Sequence, residues 1–302
     1  MSTHKTVILI AGPTAVGKTS LALELAKKFS TAIISADSRQ CYRELNIGVA
    51  KPSTQQLAEI KHYFINSHSI HDLVNASCFE KYALDKADEI FLHHDVAVMV
   101  GGTGLYIKAF CEGLDDIPEV SLKIRAQIIE EYKLNGMEWL RKKVEEEDNL
   151  FWLRSDIQNP QRLMRSLEVK RSTGRSILSF RKEIKRNRPF KILKIGLDLP
   201  RNELYRRIDN RVDMMMECGL VEEARSLIVF QNLNALRTVG YAELFEFFNG
   251  KATLMDASEN IKKHTRHYAK RQMTWFRKDA DMRWFLSGDT DKITEFIAGS
   301  LG

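Results

Sequence analysis

The sequence predicts an α/β fold: a parallel sheet covered by helices, with an all-helical insertion. Three observations carry this. Short apolar runs alternate with helix-length amphipathic segments through the first third of the chain, the pattern of parallel strands joined by helical crossovers. A glycine-rich segment stands between the first such run and the first such helix. From about residue 120 to residue 188 nothing reads as a strand.

Taken in order, residues 6–11 form a short apolar strand. Residues 17–29 form an amphipathic helix with Leu21, Ala22 and Leu25 on its apolar face. Residues 32–36 make a second strand, and 63–66 are a candidate third. A helix is expected over 77–93, with Ser77 and Glu80 as a capping box. A strand over 95–100 runs into Gly101-Gly102. Three helices follow, over 121–134, 136–147 and 160–173. Strand character returns over 191–199, and Pro200 stops it. Helices resume over 201–250 and 257–278, and residues 282–286 are a candidate last strand. The 302 residues suggest about two domains at roughly 150 residues each. The expected division is 1–118 as the first part of the core, 119–189 as the helical insertion, and 190–302 as the second part of the core with C-terminal helices.

Composition excludes several classes. A hydrophobic fraction of 44% supports a sizeable core. No apolar run approaches the ~18 residues of a membrane span. The first residues carry no apolar h-region or small-residue cleavage site, so no secretion signal is expected. Cys41, Cys78, Cys111 and Cys218 are widely spaced without a CxxC pair, which fits reduced thiols in a cytoplasmic protein. Net charge is +6, and its distribution matters more than its size. Between Pro160 and Lys191 there are eleven Lys or Arg against two acids, Glu168 and Glu183. This stretch alone is more positive than the whole chain, as a docking surface for a polyanion requires. A solvated helix face is the alternative.

Gly12-Pro13-Thr14-Ala15-Val16-Gly17-Lys18-Thr19 matches the P-loop pattern G-x-x-x-x-G-K-[ST] in its proper context, after a strand and opening a helix. Such a loop turns backbone N–H groups around a phosphate, and the helix start adds partial positive charge. Lys18 can reach terminal phosphate oxygens, and the Thr19 hydroxyl can bind Mg²⁺. ATPases usually place an acid at the end of a later strand to help hold the metal. Here that strand ends in Gly101-Gly102-Thr103-Gly104 instead. An acid does end the second strand, as Asp37. In an open α/β sheet that position faces the substrate, so Asp37 is a candidate base for an acceptor facing the phosphate donor. A turn cap is the bland alternative. Arg207 and Arg211 lie one helical turn apart and could face the same site.

Further motifs accumulate in one order: Ile34-Ser35-Ala36-Asp37-Ser38-Arg39-Gln40-Cys41-Tyr42, Asn46-Ile47-Gly48-Val49-Ala50-Lys51-Pro52, Val100-Gly101-Gly102-Thr103-Gly104-Leu105-Tyr106, Asn159-Pro160-Gln161-Arg162-Leu163, Ser166-Leu167-Glu168, Arg237-Thr238-Val239-Gly240-Tyr241, and Arg266-His267-Tyr268-Ala269-Lys270-Arg271-Gln272-Met273-Thr274-Trp275. Together they resemble the tRNA dimethylallyltransferase family nearly end to end. The resemblance implies transfer of the dimethylallyl group of dimethylallyl diphosphate to N6 of the adenosine 3′ of the anticodon in tRNA, with Mg²⁺, by a cytoplasmic protein expected to be a monomer. It implies that the P-loop, Gly12 to Thr19, holds a diphosphate. Lys18, Thr19 and Arg211 are then diphosphate contacts and Asp37 the base. Thr103 is implied to act beside the reacting nucleotide. Asp37, Ser38, Arg39 and Gln40, Arg125, and Gln161, Arg162, Leu163, Met164 and Arg165 are implied tRNA contacts. Arg39, Cys41 and His267 depart from the family's usual residues. No Cys/His cluster of an appended zinc finger is present, which gives the chain a bacterial type.

The chemistry of the residues agrees with that reading. An allylic diphosphate leaves as a polyanion and needs cations on the leaving group. The adenine amine is a poor nucleophile until it loses a proton, and Asp37 can accept it. The base must leave its stack, as flipped bases and RNA loops do. Thr103 sits among glycines that permit close backbone approach. On the helix over 257–278, Tyr268, Trp275 and Phe276 are expected to pack inward, and Trp139 and Trp152 to be core of the insertion. Two rivals stand: a small-molecule kinase using ATP and a hydroxyl acceptor, and a non-catalytic RNA-binding P-loop protein.

Overall fold

The computed structural model describes residues 5–182 and 184–301. By internal contacts the chain divides into two compact units. One comprises Met1–Glu112 and Asn187–Gly302, the other Gly113–Arg186.

The first unit opens with strand β1, Thr6–Ala11, buried along its whole length. Helix α1, Lys18–Lys28, buries Leu21, Ala22, Leu25 and Ala26, the apolar stripe its sequence period predicts. Strand β2, Ile33–Ala36, follows, then a short helix α2, Thr54–Glu59, and strand β3, His62–Tyr63. The apolar pattern predicts this third strand over 63–66. It stops at Tyr63 because Phe64 and Asn66 adopt φ of 62 and 55, conformations incompatible with a continuing ladder. Helix α3, Ala76–Phe91, starts one residue before the expected Ser77. Its cap is Asn75, whose side chain accepts from the Cys78 N–H at 2.9 Å. The expected Ser77–Glu80 box does not form. Glu80 is buried and instead accepts from Arg188 at 2.7 Å. Strand β4, Val96–Gly101, leads into helix α4, Gly104–Glu112.

The second unit is helical, as expected. Helix α5, Leu122–Glu147, is broken at Gly136, whose φ of 74 and ψ of −164 separate the two expected segments. Helix α6, Asn149–Arg154, is not predicted by the sequence pattern; six residues are too few to show a 3.6-residue period. Helix α7, Pro160–Thr173, matches its expected bounds, with Asn159 as cap and Pro160 at its first position. Ile128, Leu140, Val144, Phe151, Leu163 and Leu167 form the core, and Trp139 and Trp152 pack against it. Buried Asp148 ties α6 to α7: it caps the Phe151 N–H at 3.2 Å and accepts from Ser166 Oγ at 2.6 Å.

The first unit resumes with strand β5, Lys191–Asp198. Helices α8, Arg201–Glu217, α9, Leu220–Ser226, and α10, Tyr241–Phe248, follow. Helix α11, Leu254–Phe276, begins three residues before the expected 257, because Thr253 and Asp256 form a reciprocal capping box. Strand β6, Arg283–Leu286, and helix α12, Thr290–Leu301, complete it. Among the described residues no helix is long and apolar enough to cross a membrane.

All strands are parallel, in the order β3-β2-β4-β1-β5-β6. This is the α/β sheet the sequence predicts. Its register aligns three strand ends. Ala11 of β1 and Ala36 of β2 both lie level with Gly101 of β4. The three next residues, Gly12, Asp37 and Gly102, therefore leave the same edge of the sheet side by side.

Candidate active site

The cradle is built by the turn from β1 into α1. Gly17 caps α1 with φ 104, a left-handed conformation natural to glycine. Here a side chain would also lie 2.9 Å from Ser287 Oγ. Lys18 folds back across the loop and donates to the Pro13 carbonyl at 2.7 Å. Burial and, after it, neighbouring Arg211 push its ammonium down to about 7, while Asp37 pulls the other way. Arg211, from α8, donates to the Thr14 hydroxyl at 3.2 Å, and burial lowers its proton affinity too. Thr19 is exposed on the first turn of α1. Arg207 bonds Glu203 at 2.6 Å on its own helix, and another of its guanidinium nitrogens comes within 4.0 Å of the Cβ position at Gly17.

Asp37 leaves β2 beside this cradle. Its Oδ1 accepts from the N–H groups of Arg39 at 2.8 Å and Gln40 at 3.2 Å. The carboxylate thus caps its own turn and still faces a cavity of about 800 Å³, lined also by Thr14, Ser38, Arg39, Arg211, Tyr268 and Arg271. Thr103 joins from the end of β4. Its hydroxyl accepts from the Ser38 N–H at 3.0 Å, and its own N–H donates to Ala36 at 3.2 Å. Burial pushes Tyr268 up to about 12, with Asp37 adding to the shift and Thr103 and Arg39 opposing it. The structure therefore brings Lys18, Asp37, Thr103 and Arg211 to one end of the sheet.

Several of the expected contact residues are engaged within the protein. The Gln40 amide is engaged internally, donating to the carbonyls of Val49 at 3.2 Å and Ala50 at 3.0 Å. Arg39 donates to the Asn234 carbonyl at 2.9 Å. In the helical unit Leu163 and Met164 are buried in the core; their helical positions turn them inward, so their side chains do not present an RNA-contacting face. Gln161 and Arg162 are exposed and Arg165 half-buried. Arg125 and Arg165 converge on buried Glu168, at 3.6 and 3.1 Å.

Sequence reasoning misses two residues that hold the site together. Glu223 of α9 accepts from three successive backbone N–H groups, Asn46, Ile47 and Gly48, at 3.2, 2.9 and 3.0 Å. It also accepts from the Tyr241 hydroxyl at 2.6 Å. It pins the loop whose Gly48, Val49 and Ala50 form one cavity wall. Gln272 of α11 is buried and bridges the cradle to the end of β4. Gln272 lies within one of the sequence motifs and Glu223 binds the backbone of another, but their partners are far away in sequence.

Comparison with known proteins agrees with this architecture. A family model described as IPP transferase matches residues 40–279. A tRNA dimethylallyltransferase of Christiangramia forsetii is 49% identical over 296 residues, covering 98% of each chain. One of Cytophaga hutchinsonii is 46% identical over 298 residues, covering 99% of this chain and 98% of its own. The crystal structure of a full-length tRNA isopentenylpyrophosphate transferase from Bacillus halodurans superposes with a TM-score of 0.72 at 32% identity, covering 98% of this chain and 97% of that one. With similarity of this extent over nearly its whole length, the chain belongs to the IPP transferase family of tRNA dimethylallyltransferases.

Proposed function

We propose that this enzyme transfers the dimethylallyl group of dimethylallyl diphosphate to N6 of the adenosine 3′ of the anticodon in tRNA. In the transfer, N6 bonds to the allylic carbon as the carbon–oxygen bond to the diphosphate breaks. The bonding pair leaves with the diphosphate, and the N6 proton passes to Asp37. Lys18 and Arg211 hold the departing polyanion, whose charge they match best as the bond breaks. The observation that carries this reading is the meeting of Arg211 from α8 and Asp37 from β2 at a single cavity, with Lys18 of the β1–α1 loop close enough to feel the charge of both.

Mg²⁺ fits this site in a limited way. Among the described residues no group of three His, Cys, Asp or Glu is gathered to hold a metal. Thr19 would hold the ion together with diphosphate oxygens and water, the coordination Mg²⁺ prefers at phosphate sites. When bound, it would add charge neutralisation on the leaving group. Gln161, Arg162, Arg125 and Arg165 on the helical unit, itself a separate domain in this reading, would contact tRNA through phosphates. The enzyme would act in the cytoplasm as a monomer.

The test is incubation with unmodified tRNA and dimethylallyl diphosphate, followed by nucleoside mass spectrometry. N6-dimethylallyladenosine is the expected product. Stabilisation by ATP but not by dimethylallyl diphosphate in a melting assay, with no prenylated nucleoside, would replace this reading with the kinase.

A further inference from the structure

Gln272 touches two loops that the chemistry must keep in register. Its Oε1 accepts from the Thr14 N–H at 2.9 Å, inside the phosphate cradle. Its Nε2 donates to the Gly102 carbonyl at 2.9 Å, next to Thr103. The assignment of oxygen and nitrogen is forced, because one partner only donates and the other only accepts. Gly102 is cleared for this contact: a Cβ there would lie 2.2 Å from Nε2. Thr103 in turn holds the Ser38 N–H, the residue after Asp37. A chain of bonds therefore runs from cradle to Gln272 to the Thr103 loop to the Asp37 turn.

We infer that Gln272 is a positioning residue: its buried amide fixes the distance between the diphosphate cradle and the wall that carries the acceptor base. The inference rests on the prenyl-transfer reading. In that reaction the nucleophile approaches the carbon as the leaving group departs, so the two substrates must be held in line. Displacement of about 1 Å can lower such a rate by about 10²-fold. An amide suits the task because it accepts and donates from one planar end. A carboxylate can only accept, and a thioether bonds weakly if at all.

The test uses the full chain, unmodified tRNA and dimethylallyl diphosphate, with Gln272→Met and Gln272→Glu. For Gln272→Met the single-turnover rate at saturating substrates falls by roughly 10–10²-fold, while affinities for both substrates and the melting temperature stay close to wild type. For Gln272→Glu the rate relative to wild type at the same pH rises as pH falls, because a protonated carboxyl regains the donor to Gly102. A wild-type rate in folded Gln272→Met, a rate ratio for Gln272→Glu that is flat with pH, or losses of affinity that track a fall in melting temperature would each overturn the inference. Failure of both variants to fold would do so too, marking Gln272 as a stability residue. Absence of prenyl transfer by the wild-type protein would instead refute the reaction itself.

Discussion

Lys18 and Arg211 meet in the cradle as neighbouring cations, each held below its ordinary proton affinity, whereas Arg171 in the helical unit lies between two glutamates. Arg171 bonds Glu131 at 3.0 Å and Glu147 at 2.8 Å, and these partners raise its proton affinity, Glu147 most. Arg186 pairs with Asp116 at 2.6 Å, and Arg165 with Glu168. Several cations of the stretch richest in basic residues are thus paired within their own unit, while the half-buried pair in the cradle repels itself. Desolvated like charges are relieved by a bound polyanion. A count of charges along the chain measures neither effect. The difference separates a cation paired within the fold from cations set beside one another.

The comparison is broken most sharply at the carboxylate facing the cations. Asp37→Asn keeps the size and an acceptor for the Arg39 and Gln40 N–H groups but removes the proposed base. The single-turnover rate should fall by roughly 10²–10⁴-fold, with tRNA affinity much less affected because phosphate contacts dominate it. A rate that survives while affinity collapses would make Asp37 a recognition residue. Lys18→Ala should lower the rate by about 10²–10³-fold, the usual effect of removing one stabilising group from a developing anion. Its melting temperature should hold or rise, since a desolvated cation is lost. Unchanged turnover would remove the P-loop from the chemistry.

The cradle is legible in the sequence because its spacing is local: eight consecutive residues between a strand and a helix. Asp37 is legible because a strand end is readable from a short apolar run. What joins them is not. Gln272 sits 258 residues from Thr14, and Glu223 lies 175 residues from Gly48, so only the folded sheet brings them together. The glycines around Thr103 suggest room for substrate. The structure uses two of them for protein packing: a Cβ would lie 2.2 Å from Gln272 at Gly102 and 2.3 Å from Trp275 at Gly104. Trp275 itself, expected to pack inward, remains 40% exposed, whereas Phe276 is buried at 2%. In the helical unit a contiguous stretch of implied RNA contacts meets the helical period, which turns Leu163 and Met164 into the core. The closing helix α12 is absent from the sequence reading although Ile293 and Ile297, one turn apart, are its buried residues.

The helical unit offers a smaller effect that sharpens the same contrast. Arg181 and Lys182 are exposed, and reversing both to Glu should weaken tRNA binding by about tenfold or more at low salt and flatten its salt dependence. Arg171→Met should do the opposite. It should destabilise the protein by about 1–2 kcal/mol, allowing for partial solvent screening, and leave tRNA affinity of the folded protein nearly unchanged. Denaturant unfolding and a salt titration of tRNA binding separate the two. Equal effects of both variants on affinity would mean that the paired and exposed cations are not distinct classes.

The smallest effect concerns protons at the cradle. Lys18 is pushed down to about 7 by burial and by Arg211. A bound diphosphate favours the charged form and raises that value again. Below pH 7 the ammonium is charged before and after binding, so no proton is exchanged. Above pH 7 the free protein has largely lost this proton while the complex keeps it. Binding must then take one up. By linkage, affinity for the diphosphate falls as pH rises through 7, by at most about tenfold per pH unit from this group. Calorimetry with inorganic diphosphate in buffers of different ionisation enthalpy measures the uptake directly. Near zero is expected at pH 6, and close to one proton at pH 8 after correction for the ligand's own ionisation. The same titration on Lys18→Met should show no uptake beyond the ligand's own. Full uptake in that variant would assign the proton to another group. Zero uptake in the wild type would mean that burial and Arg211 do not together hold Lys18 in a depressed state, and the contrast between the two cation groups would lose its electrostatic basis.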